Sequence, residues 1–441
     1  MIERGAAWVA QAAGGRLLAG DPEGPGPRRT VVDSRQVGEG DLFVGLVGQT
    51  ADGGAFAEEA LRAGAWGVLL GPRRAYDLSE RGGAGVVIAA DNTLLAMQHL
   101  ARAWRSELGC KVIGVTGSTG KTSTKDILKA ILTPRLSTHA SRENWNTEIG
   151  LPLSLLEVEH GTQAVVLEMA MRGEGQIAEL AAIAEPDVGV IVSVGPVHLE
   201  LLGTVERVAA AKAELIRDLP TGAACVVPAG EPRLEPHLRD DLDTIAFGPG
   251  GDVTLSSFED GRALIDVRGH RIELELPYEE PYNLANTLAA VGAAIAIGVT
   301  PSGPVEVQFS SLRGQLVELE GGVTIVNDCY NANPMSMRAA LDYLAGSRAS
   351  RRIAILGGMA ELGPEWPRYH REIGEHAEQL GIDVLVTVGE QALGFRDGFG
   401  GEVHSVATPE EAGALLEEIA APGDRVLVKG SRAVGLERVL A

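Results

Sequence analysis

Short apolar runs and helix-spaced apolar residues take turns along most of this chain. Val112–Val115 is a mostly apolar run that leads straight into glycine and serine, and it reads as a buried strand feeding a loop. Ile127, Leu128, Ile131 and Leu132 then fall on one helical face, and Pro134 ends that helix. Further buried strands are predicted at Ala164–Leu167 and Val188–Ser193. A helical pattern at Gly175–Ala184 lies between them, and a helix at Val205–Ile216 follows. Strands alternating with helices imply a mainly parallel α/β sheet.

The pattern changes on either side of this unit. Upstream, strands are predicted at Thr30–Asp33, Leu42–Leu46 and Trp66–Leu70, with a Pro/Gly-rich turn region at Gly20–Pro27. Downstream, Val226–Ile272 is rich in Gly, Asp and short alternating runs, and Val253–Arg271 reads as antiparallel. Leu284–Val299 is an Ala-rich buried helix, too short for a membrane span. From near Pro304 the α/β alternation resumes, with strands at Val323–Asn327, Arg352–Leu356, Val384–Val388 and Arg425–Lys429 and helices at Ser336–Ala345 and Tyr369–Leu380. The expected fold class is therefore α/β in three domains, at residues 1–108, 109–305 and 306–441. The length of 441 residues suits roughly three domains of about 150 residues.

Composition narrows the function classes. A net charge of −22 argues against non-specific nucleic-acid binding, which needs a basic surface. Aromatics at 4% argue against stacking platforms for single strands. Cys110, Cys225 and Cys329 lie far apart without metal spacing, as buried residues of a protein in a reducing compartment do. Glu3 and Arg4 precede any apolar run, so no signal peptide is read. The expectation is a soluble cytoplasmic protein with no nucleic-acid partner and no membrane insertion.

The strongest chemical signal is Gly117-Ser118-Thr119-Gly120-Lys121-Thr122, followed by Ser123, between the first strand and helix of the middle domain. Glycines let backbone N–H groups turn toward an anion, and the helix start adds unpaired donors and partial positive charge. Lys121 can reach terminal phosphates and the Thr122 hydroxyl can bind Mg²⁺. The general phosphate-loop pattern has glycine where this chain has Val115, so the loop is tighter. Glu168 closes one buried strand, His198 follows another, and Lys212 lies in the helix after it. Strand carboxyl ends are where open α/β sheets bind ligands, and a carboxylate suits Mg²⁺. Singly, Glu168 and His198 read equally well as caps and Lys212 as a solvated helix residue. Their joint placement on the phosphate-loop side is what marks them.

These residues carry a resemblance. Val115–Thr122, the run Asn144-Trp145-Asn146-Thr147-Glu148-Ile149-Gly150-Leu151-Pro152-Leu153, Glu168, and the stretch from Gly195 through His198 to Ala211-Lys212-Ala213-Glu214 resemble the Mur ligases, ATP-dependent amide ligases of peptidoglycan synthesis. Asn327-Asp328-Cys329-Tyr330-Asn331-Ala332-Asn333-Pro334 with Ser336-Met337 resembles the member that adds D-alanyl-D-alanine to UDP-N-acetylmuramoyl-tripeptide. Leu356-Gly357-Gly358-Met359 with Glu361-Leu362-Gly363, Val428-Lys429-Gly430-Ser431-Arg432, and Asp33-Ser34-Arg35 with Gly40-Asp41-Leu42-Phe43 point the same way.

The resemblance implies an N-terminal domain holding the UDP-sugar end near Ser34 and Arg35, a central P-loop domain binding ATP and two Mg²⁺, and a Rossmann-like C-terminal domain that receives the dipeptide. It implies metal ligation by Thr122, Glu168, His198 and Lys212, the last through a carbamate. Asn283 and Asn286 match adenine contacts and Asp328 a ribose contact. Asn146, Thr147, Tyr330, Asn331 and Asn333 match the substrate side, and Lys121, Lys212 and His198 the catalytic set. A monomer is expected. Four positions depart from the family: Gln315 stands where arginine is usual after Gly314, with Arg313 as the alternative guanidinium, and Gly358, Tyr282 and Gly54 replace aspartate, histidine and histidine. The rival readings are a sister amide ligase with another amine and a nucleotide switch that joins no amine.

Overall fold

The structure is a computed structural model and describes residues 2–48, 51–82, 85–142, 144–319 and 321–440. Among the described residues the strands form three sheets, one in each expected unit. The first has five strands in the spatial order Arg16–Ala19, Val86–Ala89, Gly67–Leu70, Asp41–Val44, Arg29–Val31. Its pairs are parallel except the first. The second has ten strands. Its parallel half runs Asp243–Phe247, Ala224–Pro228, Val188–Ile191, Lys111–Thr116, Ala164–Glu168, Thr138–Ala140. Its antiparallel wing is Val253–Glu259, Arg262–Val267 and His270–Glu275, where the alternating pattern predicts it. The third has six strands, with Gln315–Leu319 antiparallel to Val323–Asn327 and the remainder parallel.

The predicted elements are present with shifted ends, and the shifts have local causes. The strand expected to reach Ser193 stops at Ile191. Ser193 instead gives its hydroxyl and carbonyl to the phosphate loop, so it cannot stay in the ladder. The helix ahead of Pro134 spans Lys121–Leu132, and the Ala-rich helix spans Pro281–Ala296. The strand expected at Thr30–Asp33 is Arg29–Val31, because Asp33 leaves it to cap the short turn Ser34–Gln36.

The three units are joined unequally. Helix Thr93–Leu108 of the first unit packs on helices Gly150–Leu156 and Gln176–Ala184 of the second, in one continuous apolar core. Trp104 is buried there and donates its indole N–H to Val158 O at 2.9 Å. The third unit has its own apolar clusters on the two faces of its sheet. It meets the second largely through polar side chains and loop backbone: Asn333 Nδ2 donates to Ser118 O at 3.3 Å, and Tyr330 Oη donates to Asn144 Oδ1. An apolar seam resists opening far more than a polar one. The joint beside the phosphate loop is therefore the weaker of the two.

Candidate active site

Strand Lys111–Thr116 is buried from Val112 onward and delivers the chain to the loop, and helix Lys121–Leu132 carries it away. Gly120 caps that helix with φ 78°, and a Cβ there would lie 2.3 Å from Asn286 Oδ1. Both facts call for glycine. The loop is pinned from the next strand: Ser118 N–H donates to Ser193 O and Thr119 N–H to Ser193 Oγ, each at 2.9 Å. Ser118 Oγ donates to Gly195 O and accepts from Gly195 N–H. A loop so tied keeps its shape without a ligand, which is what a phosphate cradle requires.

Lys121 Nζ donates to Gly117 O at 2.8 Å, folded back over the loop. Thr122 Oγ1 donates to Glu168 Oε2 at 2.7 Å, and Asn146 Nδ2 donates to Glu168 Oε1 at 2.8 Å. Glu168 is buried. Burial alone raises its pKa, but Lys121, Arg313 and Lys125 outweigh that and hold the carboxyl below its ordinary value. Burial lowers Lys121, with Glu168 opposing and Arg313 assisting. Lys212 is buried at the same cavity and makes no hydrogen bond or ion pair among the described residues. Burial first, and Lys121 second, push its amine well below the ordinary lysine value.

These groups line a cavity of about 870 Å³ between the second and third units. It brings together Ser118, Thr119, Gly120, Lys121, Thr122, Ser123, Asn146, Thr147, Glu168, His198, Lys212, Asn286, Asp328, Tyr330, Asn331 and Asn333, all anticipated from the sequence. Four anticipated residues stand apart. Gly117 lies at the loop's base. Asn283 is buried behind Asn286, from which it accepts a hydrogen bond at 3.3 Å, while donating to Glu280. Ser34 and Arg35 form a turn beside a second cavity of about 270 Å³ whose walls include Arg29, Asp33, Gln36, Arg142 and Trp145. Arg35 pairs with Asp33 at 2.7 Å and is otherwise exposed. Asn333 spends its carbonyl oxygen on Ser336 N–H as the N-cap of helix Pro334–Gly346.

The structure adds Lys429 and Glu361, which the sequence did not single out as site groups, and places Arg313 and Tyr282, which it had named among the departures from the family. Lys429 is buried and gives its ammonium protons to Asp328 Oδ2 at 2.6 Å, Asp328 O and Asn331 O. It fixes the segment that carries Tyr330. Arg313 lines the cavity with its guanidinium 4.0 Å from the Tyr330 ring centroid, whereas Gln315 is exposed. Of the two positions, Arg313 is the one that faces the cavity. Tyr282 also lines the cavity, with Tyr343 edge-on beside it. Glu361, from the third unit, meets His198 Nδ1, and the His198 hydrogen bond is the main reason its carboxyl titrates below the usual range. Contacts between distant segments leave no spacing signal, although Lys429 and Glu361 both sit in motif segments.

A preorganised anion cradle at the carboxyl ends of a parallel sheet, roofed by a second α/β unit, is the architecture of a P-loop nucleotide-binding protein. The Mur ligase middle domain family matches residues 115–294 and the Mur ligase, glutamate ligase domain family matches residues 312–432. The chain belongs to the Mur ligase family. It is 36% identical to the UDP-N-acetylmuramoyl-tripeptide–D-alanyl-D-alanine ligase of Synechocystis over 93% of this chain and 90% of the relative. With the Bacillus subtilis ligase of the same name it is 32% identical over 100% and 98%. Among solved structures, MurF ligase from Thermotoga maritima in complex with ADP superposes with a TM-score of 0.81 at 32% identity, over 94% of this chain and 96% of that one.

Proposed function

We propose that this chain joins D-alanyl-D-alanine to UDP-N-acetylmuramoyl-tripeptide with ATP, through an acyl phosphate, releasing ADP and phosphate. The observation that carries the reading is the meeting, in one cavity, of the phosphate loop with the Tyr330–Asn333 segment of the third unit. The relatives named for this reaction match over nearly the whole chain, and a related structure holds ADP.

A carboxylate does not acylate an amine, because oxide is a poor leaving group. The terminal carboxylate of the tripeptide therefore attacks the γ-phosphorus of ATP, and ADP leaves. The amine of the dipeptide attacks the acyl carbon, loses a proton, and phosphate departs. Phosphoryl transfer of this kind needs positioning and charge neutralisation rather than a protein nucleophile. Lys121 and Arg313 offset the repulsion between the two anions. Asn286 receives the adenine end, with Asn283 bracing it, and Asp328 the ribose. Asn146, Thr147, Tyr330 and Asn331 border the tripeptide and dipeptide, and the turn at Ser34 and Arg35 takes the UDP-sugar end. In this scheme residues 1–108, 109–305 and 306–441 bind the nucleotide sugar, ATP and the dipeptide in turn. The polar joint closes around them and keeps water from the acyl phosphate.

The donor set suits Mg²⁺. Thr122 and Glu168 offer hard oxygens, while Lys212 is a buried amine with no acid partner among the described residues, which suits a neutral nucleophile toward CO₂. Addition of CO₂ with loss of a proton makes Lys212 a carbamate, an anionic oxygen ligand. With His198 these residues would hold two Mg²⁺ ions, whose charge draws electron density from the phosphates. A carbamate on Lys212 would add an oxygen ligand to those of Thr122 and Glu168. The same reading has a monomer in the cytoplasm, where buried free cysteines stay reduced. No described helix is long and apolar enough to cross a membrane.

The test is amine-dependent phosphate release. With ATP, Mg²⁺ and tripeptides ending in either diaminopimelate or lysine, D-alanyl-D-alanine is expected to drive release and single amino acids are not. Release that is indifferent to the dipeptide overturns the reading.

A further inference from the structure

The turn after strand Arg352–Gly357 reaches across the polar joint at Glu361. Its Oε2 meets His198 Nδ1, its Oε1 lies 3.6 Å from Arg172 Nε, and its backbone oxygen accepts the Glu200 N–H at 3.2 Å. His198 and Arg172 both line the large cavity. Three links from one residue land on the wall that carries the phosphate loop.

The backbone on each side of the contact is unusual. Glu361 has φ 62° and His198 has φ 53°, a region where glycine is the ordinary occupant. Neither is glycine. Two residues on, Gly363 packs on the Glu200 backbone so closely that a Cβ would lie 3.3 Å from Glu200 Cα. The approach of the two chains is therefore intimate at this point.

We propose that Glu361 is a positioning residue that latches the third unit onto the second and, through the same contact, fixes which ring nitrogen of His198 faces the cavity. With the proton held on Nδ1 toward the carboxylate, Nε2 presents its lone pair to the site. A carboxylate behind an imidazole sets tautomer and ring orientation in this way. When the joint opens, Glu361 leaves with the third unit and the imidazole loses its orienter. The site is then complete only when closed, so phosphoryl transfer waits for the roof that shields its product. The inference rests on the reading of His198 as a site residue in the proposed ligase.

The test uses the full chain with Glu361→Ala and Glu361→Gln. Distances between fluorescent labels on the second and third units are recorded with a non-hydrolysable ATP analogue. The tautomer of His198 is read from ¹⁵N histidine spectra, assigned by difference against His198→Gln. Glu361→Ala is expected to shift the label distances toward the open population and to lose the Nδ1–H signature. Its kcat is expected to fall about tenfold or more with the KM for ATP little changed. Glu361→Gln keeps an oxygen that accepts from Nδ1–H and is expected to restore the signature and part of the closure. Wild-type distances and an intact signature in a folded Glu361→Ala, or a Glu361→Gln no better than Glu361→Ala, overturn the proposal. Neither spectroscopic readout needs an amine substrate. A wild type that closes on nucleotide yet releases no phosphate with the dipeptide would overturn the ligase reading and leave the latch standing.

Discussion

Lys121 and Lys212 are both buried lysines at one cavity, yet their surroundings give them different chemistry. Burial lowers both amines, but at Lys121 the charge of Glu168 opposes it, whereas at Lys212 the charge of Lys121 adds to it and drives the side chain toward the neutral amine. Lys121→Ala removes a preorganised cation from the phosphates, and kcat is expected to fall by about a hundredfold or more. Circular dichroism and melting temperature are expected to stay close to wild type, since among the described residues Lys121 bonds only its own loop at Gly117 O. Near-normal turnover would sink the loop's assignment. Lys212→Ala is expected to be inactive and partly rescued by short carboxylic acids, because an acid can fill the space of a carbamate. Absence of rescue, together with an unmodified Lys212 by mass spectrometry in bicarbonate, would count against the carbamate. At this scale the phosphate loop was legible because its parts are contiguous: strand, glycines, lysine and hydroxyl stand in one stretch, and each has a local physical reason. Lys429 lies about a hundred residues from the Asp328 it holds, and only the parallel pairing of strands Arg425–Lys429 and Val323–Asn327 brings them together.

Helix Gln176–Ala184 shows how an element near the site is held from a distance. Its first turn has no side-chain cap of its own. Glu214, on helix Val205–Asp218, accepts the Gly175 N–H at 2.6 Å and the Ala178 N–H at 3.0 Å. A carboxylate at a helix start satisfies orphan donors and opposes the dipole. Glu214→Ala takes the acceptor from both donors, Gly175 exposed and Ala178 half-buried, at the cost of a lost helix cap, about 1–2 kcal/mol, and urea denaturation is the measurement. Glu214→Gln, which keeps one acceptor, is expected to fall between. Because Gln176, Glu179 and Leu180 line the cavity, the KM for the tripeptide should rise with the same variants while nucleotide affinity holds. Unchanged stability in Glu214→Ala would show that water replaces the cap. Elements themselves were legible where apolar residues are dense, as at Val384–Val388, which matches its expected bounds. The strands Arg16–Ala19 and Val86–Ala89 were not. They pair antiparallel across some seventy residues, and only one of the two is apolar throughout, so no local pattern announces the pair.

At the scale of the whole molecule, the joint between the second and third units is close-packed at Gly195. A Cβ on Gly195 would lie 1.9 Å from Met335 Sδ and 2.9 Å from its Cγ, across the interface between the second and third units. Gly195 has no left-handed φ, so its need for hydrogen in place of a side chain comes from the neighbouring unit and not from its own backbone. Gly195→Ala should therefore spare the fold of each unit and penalise closure. Overpacking costs about 1–3 kcal/mol, on the order of five- to a hundredfold in the closed population. The expected result is a lower kcat and a raised KM for the dipeptide, which meets the roof, with little change for ATP, which meets the pinned loop first. Met335 is flexible, and the clash depends on its sulfur, so Met335→Ala in the Gly195→Ala background should return much of the lost activity. That non-additive recovery separates obstructed closure from damage to the Ser118–Gly195 hydrogen bonds, which Met335→Ala cannot repair. Strictly additive losses in the double variant would show that the two units do not close on each other at this point.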